Sequence, residues 1–134
     1  MKRTIVALLI VTMAAVVIAS AASAFTMSEK VVVANSLVAI ARAPAGGMTA
    51  DERIDRVNER LAYILGYERL DPASIRLGTC NGERVISVGN TTLITITAAD
   101  ARANGTTVEG LAQRWLARAR AAIPQARPTP AIPG

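Results

Sequence analysis

Histidine is absent from the 134 residues, cysteine occurs once, and the aromatic side chains are one Trp, two Tyr and one Phe. Without imidazole, no side chain titrates near neutral pH at its ordinary pKa. Histidine acid–base catalysis is therefore excluded, as are His-ligated zinc and Cys-cluster metal sites. Dense acidic clusters, a nucleophile elbow and a glycine-rich phosphate loop are missing too. The sequence accordingly assigns no catalytic, cofactor-binding or metal-binding residue.

What is present is unevenly spread. Hydrophobic residues make up 51% of the chain, yet 18 of the first 24 residues are hydrophobic and the remaining 110 carry about 46%. The second figure is ordinary for a globular domain. In the first segment Lys2 and Arg3 precede an apolar run from Thr4 to Ala19, and Ala22-Ser23-Ala24 has the small-x-small pattern of a cleavage site. That order predicts a secretory signal peptide over 1–24, cut between Ala24 and Phe25. The alternative is a retained anchor. The apolar run, roughly 16 residues, is shorter than the ~18–20 that span a bilayer and has no positive stop-transfer flank. No cysteine near the cut suggests a lipid anchor, and no twin-arginine motif suggests folded export. The mature chain is expected to be periplasmic or secreted, with membrane contact only through the signal segment if it stays uncleaved.

Loss of Lys2 and Arg3 leaves 13 basic residues, 12 of them arginine, against 10 acidic ones, a net charge of +3. Because the arginines alternate with acids instead of clustering, they read as solubilising charge, and no nucleic-acid partner is expected. Weak binding of an anionic polymer is the alternative reading of that excess.

The mature chain reads as hairpin, helix, meander, helix. Residues Val31 to Ile40 are two β-prone runs around a turn near Asn35 and Ser36. Arg42 to Gly47 is a Pro/Gly linker. Thr49-Ala50-Asp51-Glu52 has capping-box spacing. Ile54, Val57, Leu61 and Ile64 then form an apolar stripe, with Arg53, Arg56, Glu59 and Arg60 on the other faces and Gly66 as the stop. Glu52 and Arg56 stand four apart in the favourable order.

Three strands follow, from Ser74 to Cys80, Glu83 to Val88 and Thr91 to Thr97, joined by Asn81-Gly82 and Gly89-Asn90. Their alternation predicts one buried face lined by Ile75, Leu77, Ile86, Val88, Ile94 and Ile96. Thr97 to Asp100 caps a short turn that ends at Asn104-Gly105. Thr106 and Glu109 are spaced to cap the last helix, whose stripe is Val108, Leu111, Trp115, Ala119 and Ala122, beside Ala112 and Leu116. The predicted fold class is α+β: an antiparallel sheet of up to five strands, the hairpin plus a three-strand meander, packed on one face by two amphipathic helices. Trp115 and Tyr63 are the rings expected in the seam. Residues 25–123 form one domain, and 124–134, with four of the six prolines, an unpacked tail.

Three stretches resemble an extracytoplasmic domain that lies ahead of the channel region in many cyanobacterial members of the mechanosensitive channel family. Thr49-Ala50-Asp51-Glu52-Arg53, with Ile54 and Leu61, is similar to that family's Ser-Ala-x-Glu-Arg helix start. Leu93 through Ala101 is similar to its Leu-x-Thr-Val-Thr-x-x-Asp-Ala segment, and Leu111-Ala112-Gln113-Arg114-Trp115 to its final Leu-Ala-x-x-Trp helix. The resemblance spans roughly residues 31 to 123. Asn35-Ser36 stands where the family usually has Asp-Gly, and no channel region follows. The resemblance implies a stand-alone relative of an envelope sensor or accessory domain and does not imply conduction.

Four sets of polar residues are candidates for chemistry. Cys80, just before the Asn81-Gly82 turn, offers a reactive thiol or an intermolecular disulfide, but no histidine or lysine stands nearby to activate it, so a plain strand residue is the simpler reading. Asp51, Asp55 and Glu59 form a carboxylate row that arginines 53, 56 and 60 interrupt, which reads as a solvated salt-bridged face instead of a Ca²⁺ or acid-pair site. Thr91, Thr95 and Thr97 read as the wet face of a strand. Asn90-Thr91-Thr92 and Asn104-Gly105-Thr106 match glycosylation sequons. The function expected is an exported, non-catalytic envelope module that binds a protein partner or sits beside a membrane complex, without a cofactor. The alternative class is a small secreted hydrolase using Thr, Asp or Cys.

Overall fold

The computed structural model describes residues 30–126; the expected signal segment with Ala24 and Phe25, and tail residues 127–134, lie outside the described residues. Strands β1 (Lys30–Val33) and β2 (Ser36–Ile40) form the expected antiparallel hairpin. Its turn falls on Ala34 and Asn35, one residue earlier than predicted, because both central positions have positive φ, 48° and 61°, and β2 starts at Ser36. Asn tolerates that region and a hairpin turn of this hand demands it, so Ala34 is held there under strain.

Thr49 ends the linker and opens α1 (Ala50–Tyr67). The Glu52 amide donates to Thr49 Oγ1 at 3.2 Å and the Thr49 amide to the Glu52 carboxylate at 2.8 Å, so the capping box is formed. That use of Glu52 replaces the expected pairing with Arg56, which instead stands 3.7 Å from Glu59. The helix passes through Gly66 and stops a residue later, with the Glu68 amide donating to the Ile64 carbonyl.

Asp71 caps a 3-10 turn, Pro72–Ser74, and the meander follows as β3 (Ile75–Cys80), β4 (Glu83–Val88) and β5 (Thr91–Ile96) in the order β3-β4-β5. Helices α2 (Ala98–Ala103) and α3 (Val108–Ala122) complete the fold. Thr97 and Asp100 make a full capping box on α2. The α3 cap is Thr107, one residue beyond Thr106, with the Gly110 amide donating to Thr107 Oγ1. Glu109 does not reach back to a cap. It pairs instead with Arg84 of β4 at 3.1 Å and accepts from Gln113. After α3 the chain makes one more 3-10 turn, Ile123–Gln125, and Ala126 packs partly on the core, so residues 124–126, expected in the unpacked tail, belong to the folded part.

The hairpin and the meander are separate sheets and not one larger sheet. Both outer strands of the meander have a backbone carbonyl taken by an arginine: Arg53 donates to Thr95 O on β5, and Arg120 to Ile75 O on β3. Helix α1 lies against β5, while β2 packs on α3. Each sheet also contains one bulge, in the β1–β2 pairing and in the β4–β5 pairing, whereas β3–β4 is regular. The register steps from Ile86↔Ile94 to Ser87↔Thr92, and from Val31↔Ala39 to Val32↔Leu37, so Leu93 and Val38 are the extra residues. An extra residue breaks strict alternation, and both consecutive pairs, Leu93-Ile94 and Val38-Ala39, are buried.

The predicted sheet face is the core face: Ile75, Ile86, Val88, Ile94 and Ile96 are buried and Leu77 half-buried. Val85, on the face expected to be wet, is buried as well. Trp115 fills the seam at 1% exposure, with Leu111, Leu116 and Ala119 of its helix. Tyr63 does not. It is 53% exposed and stacks on Tyr67, ring centroids 4.8 Å apart, because its place on α1 lies opposite the Ile54–Ile64 stripe.

Candidate functional site

Arg53 sits at the edge of the α1 apolar stripe, and the chain folds over it. Expected on a solvated face, it is 6% exposed. Its Nη1 and Nη2 donate to the two Asp100 oxygens at 2.8 Å each, Nη1 also to Ala43 O and Nη2 to Thr95 O. Asp100 is fully buried and also accepts from the Thr97 amide and hydroxyl. Asn104 Nδ2 donates to Asp100 O and to Ile40 O. One buried network thus joins the hairpin, the linker, α1, β5 and α2. Charge burial on this scale is tolerated because no buried polar side-chain atom among the described residues lacks a partner. Asp100 is therefore committed to structure.

Beside this network opens a cleft of about 100 Å³ between α1, the linker and β5, with Val57 and Ile94 among its apolar lining and Arg53, Arg56, Arg60 and Thr95 among its polar lining. Sites for drug-sized molecules run to roughly 300 Å³ or more, so this volume suits a single side chain or a small anionic group. The adjoining surface of α1 is ordered by charge. At about 100° per residue, Arg60, Tyr67, Arg56 and Tyr63 fall within an arc of about 60° on the cleft side, while Glu52, Glu59, Asp55 and Asp51 follow one another on the far side. Arg56 has Glu59 as a distant partner. Arg60 has no ion pair among the described residues.

Residues 30–126 match the family described as Domain of unknown function (DUF8459). The chain belongs to that family. No curated protein and no solved structure matches it. The DUF8459 match runs from the first residue of β1 to Ala126, so the buried network and the α1 cleft are both features of the family's domain in this chain.

Within the DUF8459 domain the candidate residues stand apart. Cys80 is an exposed free thiol at the end of β3, paired across the hairpin with Glu83. Asp51, Asp55 and Glu59 form no metal-holding group, nor does any other set among the described residues. The threonine row is divided among tasks: Thr91 Oγ1 donates to Glu68, Thr95 O accepts from Arg53, and Thr97 caps α2. Of the two sequon asparagines, Asn90 is exposed in a turn and Asn104 is engaged in the buried network. No helix among the described residues is long and apolar enough to cross a membrane. The α1 face was legible only as a charged surface, since the pairing of Arg53 with Asp100 spans 47 residues of sequence. The one local signal was the position of Arg53 beside the apolar stripe.

Proposed function

We propose that this domain is an exported binding or accessory module of the cell envelope, acting by contact with a protein partner and not by turnover. The carrying observation is the α1 surface, where Tyr63 and Tyr67 stack at 53% and 78% exposure on a stripe shared with Arg56 and Arg60. Tyr and Arg are the residues that most often dominate binding energy at protein interfaces, and stacked rings lose little side-chain entropy on docking. The leader-like segment 1–24 supports export, and the resemblance to an extracytoplasmic domain of channel proteins supports an envelope setting.

Two measurements test this reading. Mass spectrometry of the protein recovered outside the cytoplasm should find Phe25 as its first residue; an intact Met1 in the cytoplasmic fraction removes the export half. Cross-linking followed by affinity capture from envelope extracts should recover the same partner repeatedly, through α1. Recovery of none removes the binding half.

A further inference from the structure

We propose that the cleft side of α1 is a docking site for an acidic extended segment of the partner, which seats a carboxylate at Arg60 and Arg56 and lays an apolar side chain on the Tyr63–Tyr67 pair; this rests on the reading of the domain as a binding module. Charge is the argument for the occupant. Arg60 is half-buried and borders the cleft; although Glu83 lines the same cleft, Arg60 forms no ion pair among the described residues, and Arg56 is held only by Glu59 at 3.7 Å, so the three arginines outnumber the one cleft carboxylate. A carboxylate between two arginines one helical turn apart gains charge-assisted hydrogen bonds. The small cleft takes a side-chain tip and no larger group. The apolar half of the segment covers tyrosine faces that are otherwise in water.

The far flank of α1 narrows the partner further. Glu52, Asp55 and Glu59 line a second depression there, together with Arg56. A flat anionic surface such as a membrane would meet those carboxylates together with the arginines and be repelled. A narrow segment follows the basic stripe alone, and the acidic flank sets its register.

The test is fluorescence anisotropy of a fluorescein-labelled peptide of alternating Glu and Leu on the purified protein, with a Gln-for-Glu peptide as control. The expected result is binding of the Glu peptide only. Arg60→Glu should weaken it about tenfold and Tyr63→Ala about threefold, while Arg102→Glu, at an exposed position on α2, should leave it unchanged. All three substitutions are at positions outside the core, and circular dichroism checks that each variant is folded. No binding, equal loss in Arg60→Glu and Arg102→Glu, an insensitive Tyr63→Ala, or displacement of the peptide by phosphatidylglycerol vesicles would each overturn the proposal. Retention of a captured envelope partner by Arg60→Glu and Tyr63→Ala removes this site and leaves the module reading standing. Failure to capture any partner, with peptide binding as expected, removes the envelope role and leaves the chemistry of the face.

Discussion

Arg53 on α1 and Asp100 on α2 meet in a two-point contact, 2.8 Å at each oxygen, where both side chains are out of water. The pair is worth less than its short distances suggest, since both charges were desolvated to form it, but either partner alone would be an uncompensated buried charge. Arg53→Met should cost about 3–5 kcal/mol in urea unfolding, a large share of what a domain this size has. Arg53→Lys should also destabilise, because an ammonium cannot reproduce the two-point geometry. The double variant Arg53→Met with Asp100→Leu should recover much of the loss. A double variant no more stable than Arg53→Met alone would show that the unpaired Asp100 charge is not the source of the loss.

Two glycines should respond oppositely to alanine. At Gly89, φ is +58° and an added Cβ would fall on the Glu68 carboxylate, whose Oε1 accepts from Thr91, so Gly89→Ala is expected to destabilise by about 1–2 kcal/mol. At Gly66, inside α1 with open space around it, alanine should stabilise by about 0.5–1 kcal/mol. Thermal unfolding midpoints shifting in the same direction would refute this contrast.

Trp115 is the only tryptophan, so its fluorescence reports on the core directly. Burial of this α3 side chain in the core predicts blue-shifted emission that acrylamide quenches poorly, with a red shift that coincides with loss of circular dichroism on unfolding. Trp115→Ala should cost about 3–5 kcal/mol.

Glu109 carries the acid response of the β4–α3 brace. Hydrogen bonds from Gln113 and then Arg84 hold its carboxyl below the ordinary carboxylate range, and the Arg84 charge adds to this. A depressed folded-state pKa contributes stability that is present above the unfolded value and is lost as pH falls through the folded one. Carbon-13 titration should show the Glu109 carboxyl rising toward its ordinary value in Gln113→Ala and in Arg84→Gln. The effect on stability should be small because the pair is largely exposed.

Cys80 is exposed and belongs to no buried contact network. It should react stoichiometrically with Ellman's reagent without denaturant, and Cys80→Ser should change stability by less than about 0.5 kcal/mol. Slow reaction that speeds up in urea would place the thiol in a protected site.

Residues 30–126 were legible where information is local. Thr49 with Glu52 and Thr97 with Asp100 are three apart, and three residues suffice to define a cap. Asn81-Gly82 made its hairpin turn because both residues accept positive φ. The Leu111–Ala122 stripe was readable for the same reason, since helical spacing alone puts those side chains on one face.

Where the reading slipped, the cause was a choice between near-equal local options. Ala34-Asn35 against Asn35-Ser36 and Thr107 against Thr106 differ by one residue, and packing of the strand or helix that follows selects between them. Leu93 and Val38 entered the core through bulges, which alternation cannot forecast.

Composition and neighbours a few residues apart sufficed for the class of fold, the meander, the α1 capping box, the Thr97 cap of α2, the tryptophan seam and the absence of histidine chemistry. Tertiary structure alone decided that Arg53 is buried, that hairpin and meander form separate sheets, and that Arg53, Arg56 and Arg60 of α1 border a cleft. Those outcomes depend on contacts between residues some forty or more positions apart, as in Arg53 with Thr95 and with Asp100. Such contacts form only when whole elements dock, and a carboxylate arriving from α2 is what turns a surface arginine into a buried one.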